Sequence, residues 1–393
     1  EMEESKEDGG SFLEKLPEDV DGVKEALQSD PRTWTQRQTI GVGIAAAAGL
    51  FLVLFACYEL RRIRRRSGRC CGRGRGETKR KAYKVQRPYV TRSVGSNVNS
   101  DNFLPQGAIL HGAEKLRQAK LDGSGVRVAV IDSGIDKDHP GFDGRVMKQE
   151  WYKAGTPLEE DDHGTHVAGT IHFMAPKAEL YDYRVFGETG DIDGDEAIAK
   201  AIRQAVADGC RVINMSLRVS YPIVPAVESA VKYAAGKGAV MVCAAGNSGD
   251  GDPTTNEMFA YPARWNQTIS VAAVTKASGL PVASFSESNP QVDVAGIGVD
   301  VTSLKPGGGF QTMRGTSMAS PHVAGLVAAL MTNGSYKKGV KKLKNDLLSK
   351  YAIDIGAKGK DNSTGVGFST FLSKDEFNNQ MQNLDRNQNA VIY

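Results

Sequence analysis

Arg314-Gly-Thr-Ser-Met-Ala-Ser-Pro-His-Val-Ala-Gly325 sets Ser317 at a glycine-flanked junction between a loop and a helix. Beyond it Val323, Leu326, Val327 and Leu330 recur at helical spacing with alanine and glycine between them, which predicts a buried helix with Ser317 in its first turn. Unpaired N–H groups and the positive end of the helix dipole favour negative charge there. A serine hydroxyl is a weak nucleophile near neutrality, so this reading requires a base and a group that orients the base. Val126-Arg-Val-Ala-Val-Ile-Asp-Ser-Gly-Ile-Asp136 supplies the orienting candidate, Asp132, where a β-branched run ends in an acid and a turn. That pattern predicts a central parallel strand with its carboxylate at the C-terminal end, where open α/β sheets place their sites. The base candidate, His163, lies in Asp161-Asp-His-Gly-Thr-His-Val-Ala-Gly-Thr170, at the start of a second small-residue helix. Asn247 closes the strand-to-turn run Ala239 to Gly249, and its amide can donate to an oxyanion.

Taken singly, each piece has an ordinary explanation. An Asp or an Asn-Ser-Gly after a strand is usually a turn, and Gly-Thr-Ser is a common helix start. His163 and His166 have the spacing of a metal pair, but no acid at helical spacing completes a zinc site of the HExxH kind. The conjunction carries the reading. Asp, His, Asn and Ser follow in order, each at the edge of a strand or helix, as the roles in one catalytic site require. Apolar strands alternate with small-residue helices over the same region, which predicts a three-layer αβα fold around a largely parallel sheet.

These blocks resemble the subtilisin branch of the subtilases, and the similarity runs from about Leu104 to about Leu372. The convertase branch fits less well, because its histidine block usually has Arg-Cys where this chain has His166-Val167. The resemblance implies that Ser317 attacks a peptide carbonyl, His163 takes and returns the proton, and Asp132 holds the imidazole. It implies an oxyanion hole made of the Asn247 side chain and the Ser317 backbone N–H. It also implies a pocket for the residue before the cut, with Ser216, Leu217 and Arg218 on one wall, Ala244, Ala245 and Gly246 on the other, and Ala260 as its floor. Such walls favour medium-sized apolar side chains. Arg218 departs from the family, which usually has glycine in the strand that pairs with the substrate backbone. It narrows the groove and favours acidic substrate residues, or else it points into solvent.

No cofactor and no metal are expected. The connection from His163 to Pro176 is shorter than in secreted bacterial relatives, which lack of length removes their tight calcium loop, and Gly141 stands where they add a carboxylate. The acidic run Glu188 to Glu196 lacks the twelve-residue spacing of an EF-hand and reads as a solvated loop before a helix over Ala197 to Ala207.

The chain has 393 residues and a formal net charge of +3, so its overall charge singles out no partner, and no nucleic acid is expected. Charge is distributed unevenly, however. Residues 1–37 are acidic and lack a core of their own. Within 38–60, the uncharged run Ile40 to Tyr58 approaches the roughly 20 residues that cross a bilayer as a helix. Residues 61–95 begin Arg61-Arg-Ile-Arg-Arg-Arg66, a basic flank suited to anionic lipid. The expected organisation is thus one transmembrane helix, a basic linker, a protease domain over 96–375 and a polar, frayed tail over 376–393. Positive charge beside the helix favours the cytoplasmic side for the catalytic domain. The five cysteines show no framework spacing, which argues against a disulfide scaffold. The expected function is a membrane-tethered serine endopeptidase acting on polypeptides, with a monomeric catalytic domain. The alternative is an inactive protease fold that binds peptides at a membrane.

Overall fold

The β-branched run that ends in Asp132 forms a strand buried from Val128 onward, with side chains alternating between two hydrophobic cores. Val128 and Val130 enter one core, whereas Ala129 and Ile131 enter the other. A strand buried on both faces belongs at the centre of a layered α/β fold. The structure, a computed structural model, describes residues 92–94, 103–152, 162–186, 195–219, 225–252, 261–334, 336 and 340–390. All of these lie within the compact unit 82–393.

In chain order the strands are β1 (Arg92–Val94), β2 (Arg127–Asp132), β3 (Val146–Trp151), β4 (Glu179–Arg184), β5 (Val212–Met215) and β6 (Val240–Ala244). They continue with β7 (Thr268–Val274), β8 (Val294–Ile297), β9 (Val301–Leu304), β10 (Phe310–Met313), β11 (Ala352–Ile353) and β12 (Phe368–Ser369). The helices are α1 (Gln106–Leu110), α2 (Ala113–Gln118), α3 (His163–Met174), α4 (Asp195–Ala207), α5 (Pro225–Gly236), α6 (Thr316–Leu330), α7 (Val340–Lys350) and α8 (Lys374–Ala390). Nine strands form one sheet in the order β11-β12-β8-β7-β6-β5-β2-β4-β3, parallel throughout except where β11 joins β12. Helices α3 and α6 contribute to the core on one face, and α4 and α5 to the core on the other. β1, β10 and β9 make a separate antiparallel sheet.

After β2 the chain moves outward to β3, returns through β4, and then crosses to β5 on the other side of β2. The C-terminal ends of β2 and β5 therefore flank a point where the connections diverge, the usual place for a site in an open sheet. Helix α6 lies across this region, and each of its residues from Thr316 to Leu330 is buried. A helix apolar on all sides is stable only when enclosed.

The tail differs from the sequence reading. Residues from Lys374 to Ala390 form α8, and Phe377, Met381 and Leu384 pack into the main core. Their spacing places them on one helical face, a sparse stripe that the surrounding Asn and Gln obscure. The Ile40 to Tyr58 run and the basic flank through Arg66 lie outside the described residues. Among the described residues, no helix is long and apolar enough to cross a membrane.

Candidate active site

Asp132, at the end of β2, is fully buried, and its Oδ1 accepts from the Ser133 backbone N–H at 2.8 Å. The same oxygen lies 2.7 Å from Nδ1 of His163, the first residue of α3. A carboxylate in that position holds the imidazole with Nδ1 as donor. The two elements also touch through their backbones. Ser133 Oγ accepts from the Gly164 N–H at 3.0 Å, and a Cβ on Gly164 would collide with the carbonyl of Gly134. Only glycine lets α3 begin so close to the turn after Asp132.

Ser317 sits in the first turn of α6 with 9% of its surface exposed. Its Oγ donates to the Ser216 carbonyl at 3.3 Å. Below it, Asn214, Ser216 and Ser320 form a buried polar network. Ser216 Oγ donates to the Ser317 carbonyl at 2.8 Å and lies 2.9 Å from Ser320 Oγ, which reaches Asn214 Oδ1 at 3.2 Å. This network ties the end of β5 to the start of α6. Sequence reasoning missed Asn214 and Ser320, and the available signal was a polar residue inside the apolar run Val212-Ile-Asn-Met215.

Asn247 follows β6, and its Oδ1 accepts from both the backbone N–H and the hydroxyl of Thr316 at 2.8 Å. With its oxygen engaged twice, the amide presents Nδ2 as its donor end, and that nitrogen lies beside Gly315. Thr316, which the sequence reading passed over, thereby sets the orientation of the proposed oxyanion donor.

The structure brings Asp132 and His163 into contact and couples Ser317 to Ser216 and Asn247 to Thr316. Leu217, Ala244 and Ala245 are buried apolar positions near these strand ends. Gly246 is pinned from the side, because a Cβ there would collide with the carboxyl group of Glu287. Arg218 Nη1 donates to Ser248 Oγ at 3.3 Å and lies 3.8 Å from Glu287, so its head reaches from the Ser216 to Arg218 segment toward the loop after β6. Neither a fully solvated nor an uncompensated charge describes it. Ala260 lies outside the described residues.

No group of three or more metal-ligating side chains occurs among the described residues. Helix α3 runs without interruption from His163 to Met174, and a Cβ on Gly141 would press against Leu304 and His139. A carboxylate at position 141 would thus require repacking. Most of the acidic run Glu188 to Glu196 lies outside the described residues, and its end opens α4. Cys210 and Cys243 are buried free thiols, and burial pushes the Cys210 thiol up to about 12.

Known proteins resemble this chain in sequence and in fold. The model of the subtilase family matches residues 123–367. The major intracellular serine protease of Bacillus subtilis is 35% identical over 258 residues, covering 62% of this chain and 79% of that protein. Subtilisin of Bacillus pumilus is 37% identical over 240 residues, covering 58% of this chain and 85% of its own length. Among solved structures, sphericase aligns with a TM-score of 0.59 at 30% identity, covering 72% of this chain and 100% of that one. The S41 psychrophilic protease aligns with a TM-score of 0.57 at 31% identity, covering 64% and 93% respectively.

Proposed function

This chain belongs to the subtilase family, and we propose that Asp132, His163 and Ser317 carry its reaction as a triad, with Asn247 in the oxyanion hole. The chain is a subtilisin-type serine endopeptidase, and its substrates are polypeptides. The 2.7 Å contact between His163 and the buried Asp132 carries the mechanistic reading. Attack by Ser317 Oγ on a peptide carbonyl passes its proton to His163 Nε2, and Asp132 stabilises the imidazolium that forms. The tetrahedral oxyanion receives hydrogen bonds from Asn247 Nδ2 and from the Ser317 N–H at the start of α6. Collapse expels the amine, which takes the proton back from His163. Water, activated by the same imidazole, then hydrolyses the acyl-enzyme.

The pocket for the residue before the cut lies between Ser216, Leu217 and Arg218 on one side and Ala244, Ala245 and Gly246 on the other. Its buried apolar members support a preference for medium-sized hydrophobic side chains. The uncharged run Ile40 to Tyr58 and the basic residues after it support tethering to a membrane. Turnover of fluorogenic peptides by the Ser317→Ala variant tests the reading. Activity falls to the residual of about 10³–10⁴ over water left by oxyanion hole and binding in subtilisin. Near-normal turnover by that variant excludes Ser317 as the nucleophile, and an inactive wild type favours the peptide-binding alternative.

A further inference from the structure

We propose that Asp182 is a proton-linked positioning residue, which holds the turn beneath Asp132 and His163 and whose charge sets the pH range over which that pair works. This rests on the reading of Asp132 and His163 as catalytic partners.

Asp182 lies on β4, fully buried, in register between Gln149 on β3 and Val130 on β2. Because side chains alternate along a strand, Asp182 shares a sheet face with Asp132, which pairs with Arg184 one row further on. Asp182 Oδ2 accepts from the Ile135 N–H at 3.0 Å and from Gln149 Nε2 at 2.9 Å. Gln149 Nε2 also donates to the Ile135 carbonyl at 2.8 Å. Both backbone polar groups of Ile135 are therefore held by this pair.

Ile135 belongs to the turn Ser133-Gly134-Ile135, which packs against the start of α3 beside the contact between Asp132 and His163. Ser133 donates its N–H to Asp132 and accepts from Gly164, and Gly134 packs directly on Gly164. Displacing Ile135 would move the carboxylate and the imidazole together. A buried polar group is costly unless it is hydrogen-bonded, and the bonds that offset this cost for Asp182 are those that anchor the turn.

Charge adds a second link. Asp182 Oδ1 and Asp132 Oδ2 are both enclosed with no hydrogen-bond partner. Asp132 faces Asp182 from β2, with His163 of α3 beyond it, while Gln149 on β3 is neutral and Arg184 lies on the same strand. Lys148, Glu150 and Asp208 associate with Tyr183 on the opposite face. Burial pushes the Asp182 carboxyl up to about 7, and the Asp132 charge pushes the same way. At mildly acidic pH Asp182 is a neutral acid. As pH rises through neutrality it ionises and adds a second negative charge near the imidazole, which favours the imidazolium. Two groups that interact in this way titrate in macroscopic steps that belong to the pair.

The test compares wild type with Asp182→Asn and Asp182→Ala in full-length protein. Asparagine keeps an acceptor for Ile135 and removes the proton, whereas alanine removes both. The expected wild-type profile of kcat/KM rises in two steps through neutrality, and Asp182→Asn shows a single step displaced to lower pH. Asp182→Ala loses about tenfold or more in kcat with little change in KM, since small misplacements of reacting groups are costly. Infrared difference spectra between pH 6 and pH 8 show loss of a protonated carboxylic acid, a signal absent from Asp182→Asn. That readout needs no turnover, so it stands even if Asp182→Ala does not fold. Superimposable pH profiles for wild type and Asp182→Asn, or no carboxylic acid signal assignable to Asp182, overturn the proposal. An active Ser317→Ala enzyme would instead overturn the catalytic reading and leave the infrared result intact.

Discussion

Individual side chains divide into those proposed to meet the reacting atoms and those that aim them, and the oxyanion role proposed for Asn247 depends on Thr316. The two hydrogen bonds from Thr316 fix the amide oxygen, so the donor end is set before substrate arrives. Asn247→Ala should lower kcat by about 10²–10³, the cost known for such a donor in subtilisin, with KM nearly unchanged because the contact strengthens as charge develops. A steady-state analysis that placed the loss in KM would make Asn247 a ground-state binding residue. Arg218 presents a different case. Its Ser248 and Glu287 contacts compensate part of its charge while extending the side chain toward the loop after β6, beside the proposed groove. Arg218→Gly should therefore broaden the cleavage profile on a peptide library more than it alters the preference for acidic residues. Identical profiles would show that Arg218 lies clear of the substrate.

At the level of elements, α8 extends the folded body beyond the reach of the family pattern. Phe377 is buried, and its ring lies 5.4 Å from that of Phe368 on β12. Phe377→Ala should destabilise the domain by about 3–5 kcal/mol, the usual range for a buried Phe truncation. Thermal unfolding in the Ser317→Ala background, where self-digestion is absent, measures this. A midpoint unchanged by the substitution would mean that α8 contributes nothing to the core. The strands and helices that carry Asp132, His163, Asn247 and Ser317 were legible because each combines an apolar run with a local turn signal. The α8 stripe was not, since three apolar residues among Asn and Gln make a weak periodic signal. Asp182 was hidden for another reason. Its role depends on facing Gln149 and on sharing a sheet face with Asp132, and strand order is not a local property of sequence. The same holds for Asn214 and Ser320, which lie more than a hundred positions apart in the chain and meet only through the packing of α6 on β5.

At the scale of the whole molecule, four buried histidines are held in neutral form. His111, His166, His172 and His322 are held below the ordinary imidazole range chiefly by burial, His166 to about 3 and His172 and His322 to about 4. His111 and His322 stack with ring centroids 4.6 Å apart, so neither is readily charged beside the other. Unfolding restores values near 6.5, and the unfolded chain binds more protons below that pH. Stability from these groups is full above about 6.5 and declines as pH falls toward their folded values, by about 1.4 kcal/mol per pH unit for each histidine in the window. Asp182, raised in the folded state, works in the opposite direction between its unfolded value and about 7 and offsets one proton of this slope. Chemical denaturation of Ser317→Ala at several pH values should therefore show steep destabilisation between about 6 and 4. A flat profile across that interval would mean that the buried histidines accept protons without unfolding.

If one activated serine performs the chemistry, covalent labelling finds that residue without reference to turnover. Wild-type enzyme is treated with a fluorophosphonate and digested, and the modified residue is identified by mass spectrometry. A single adduct on Ser317 is expected, strongly reduced in His163→Ala and absent in Ser317→Ala. An adduct on another residue, or undiminished labelling in His163→Ala, would contradict it.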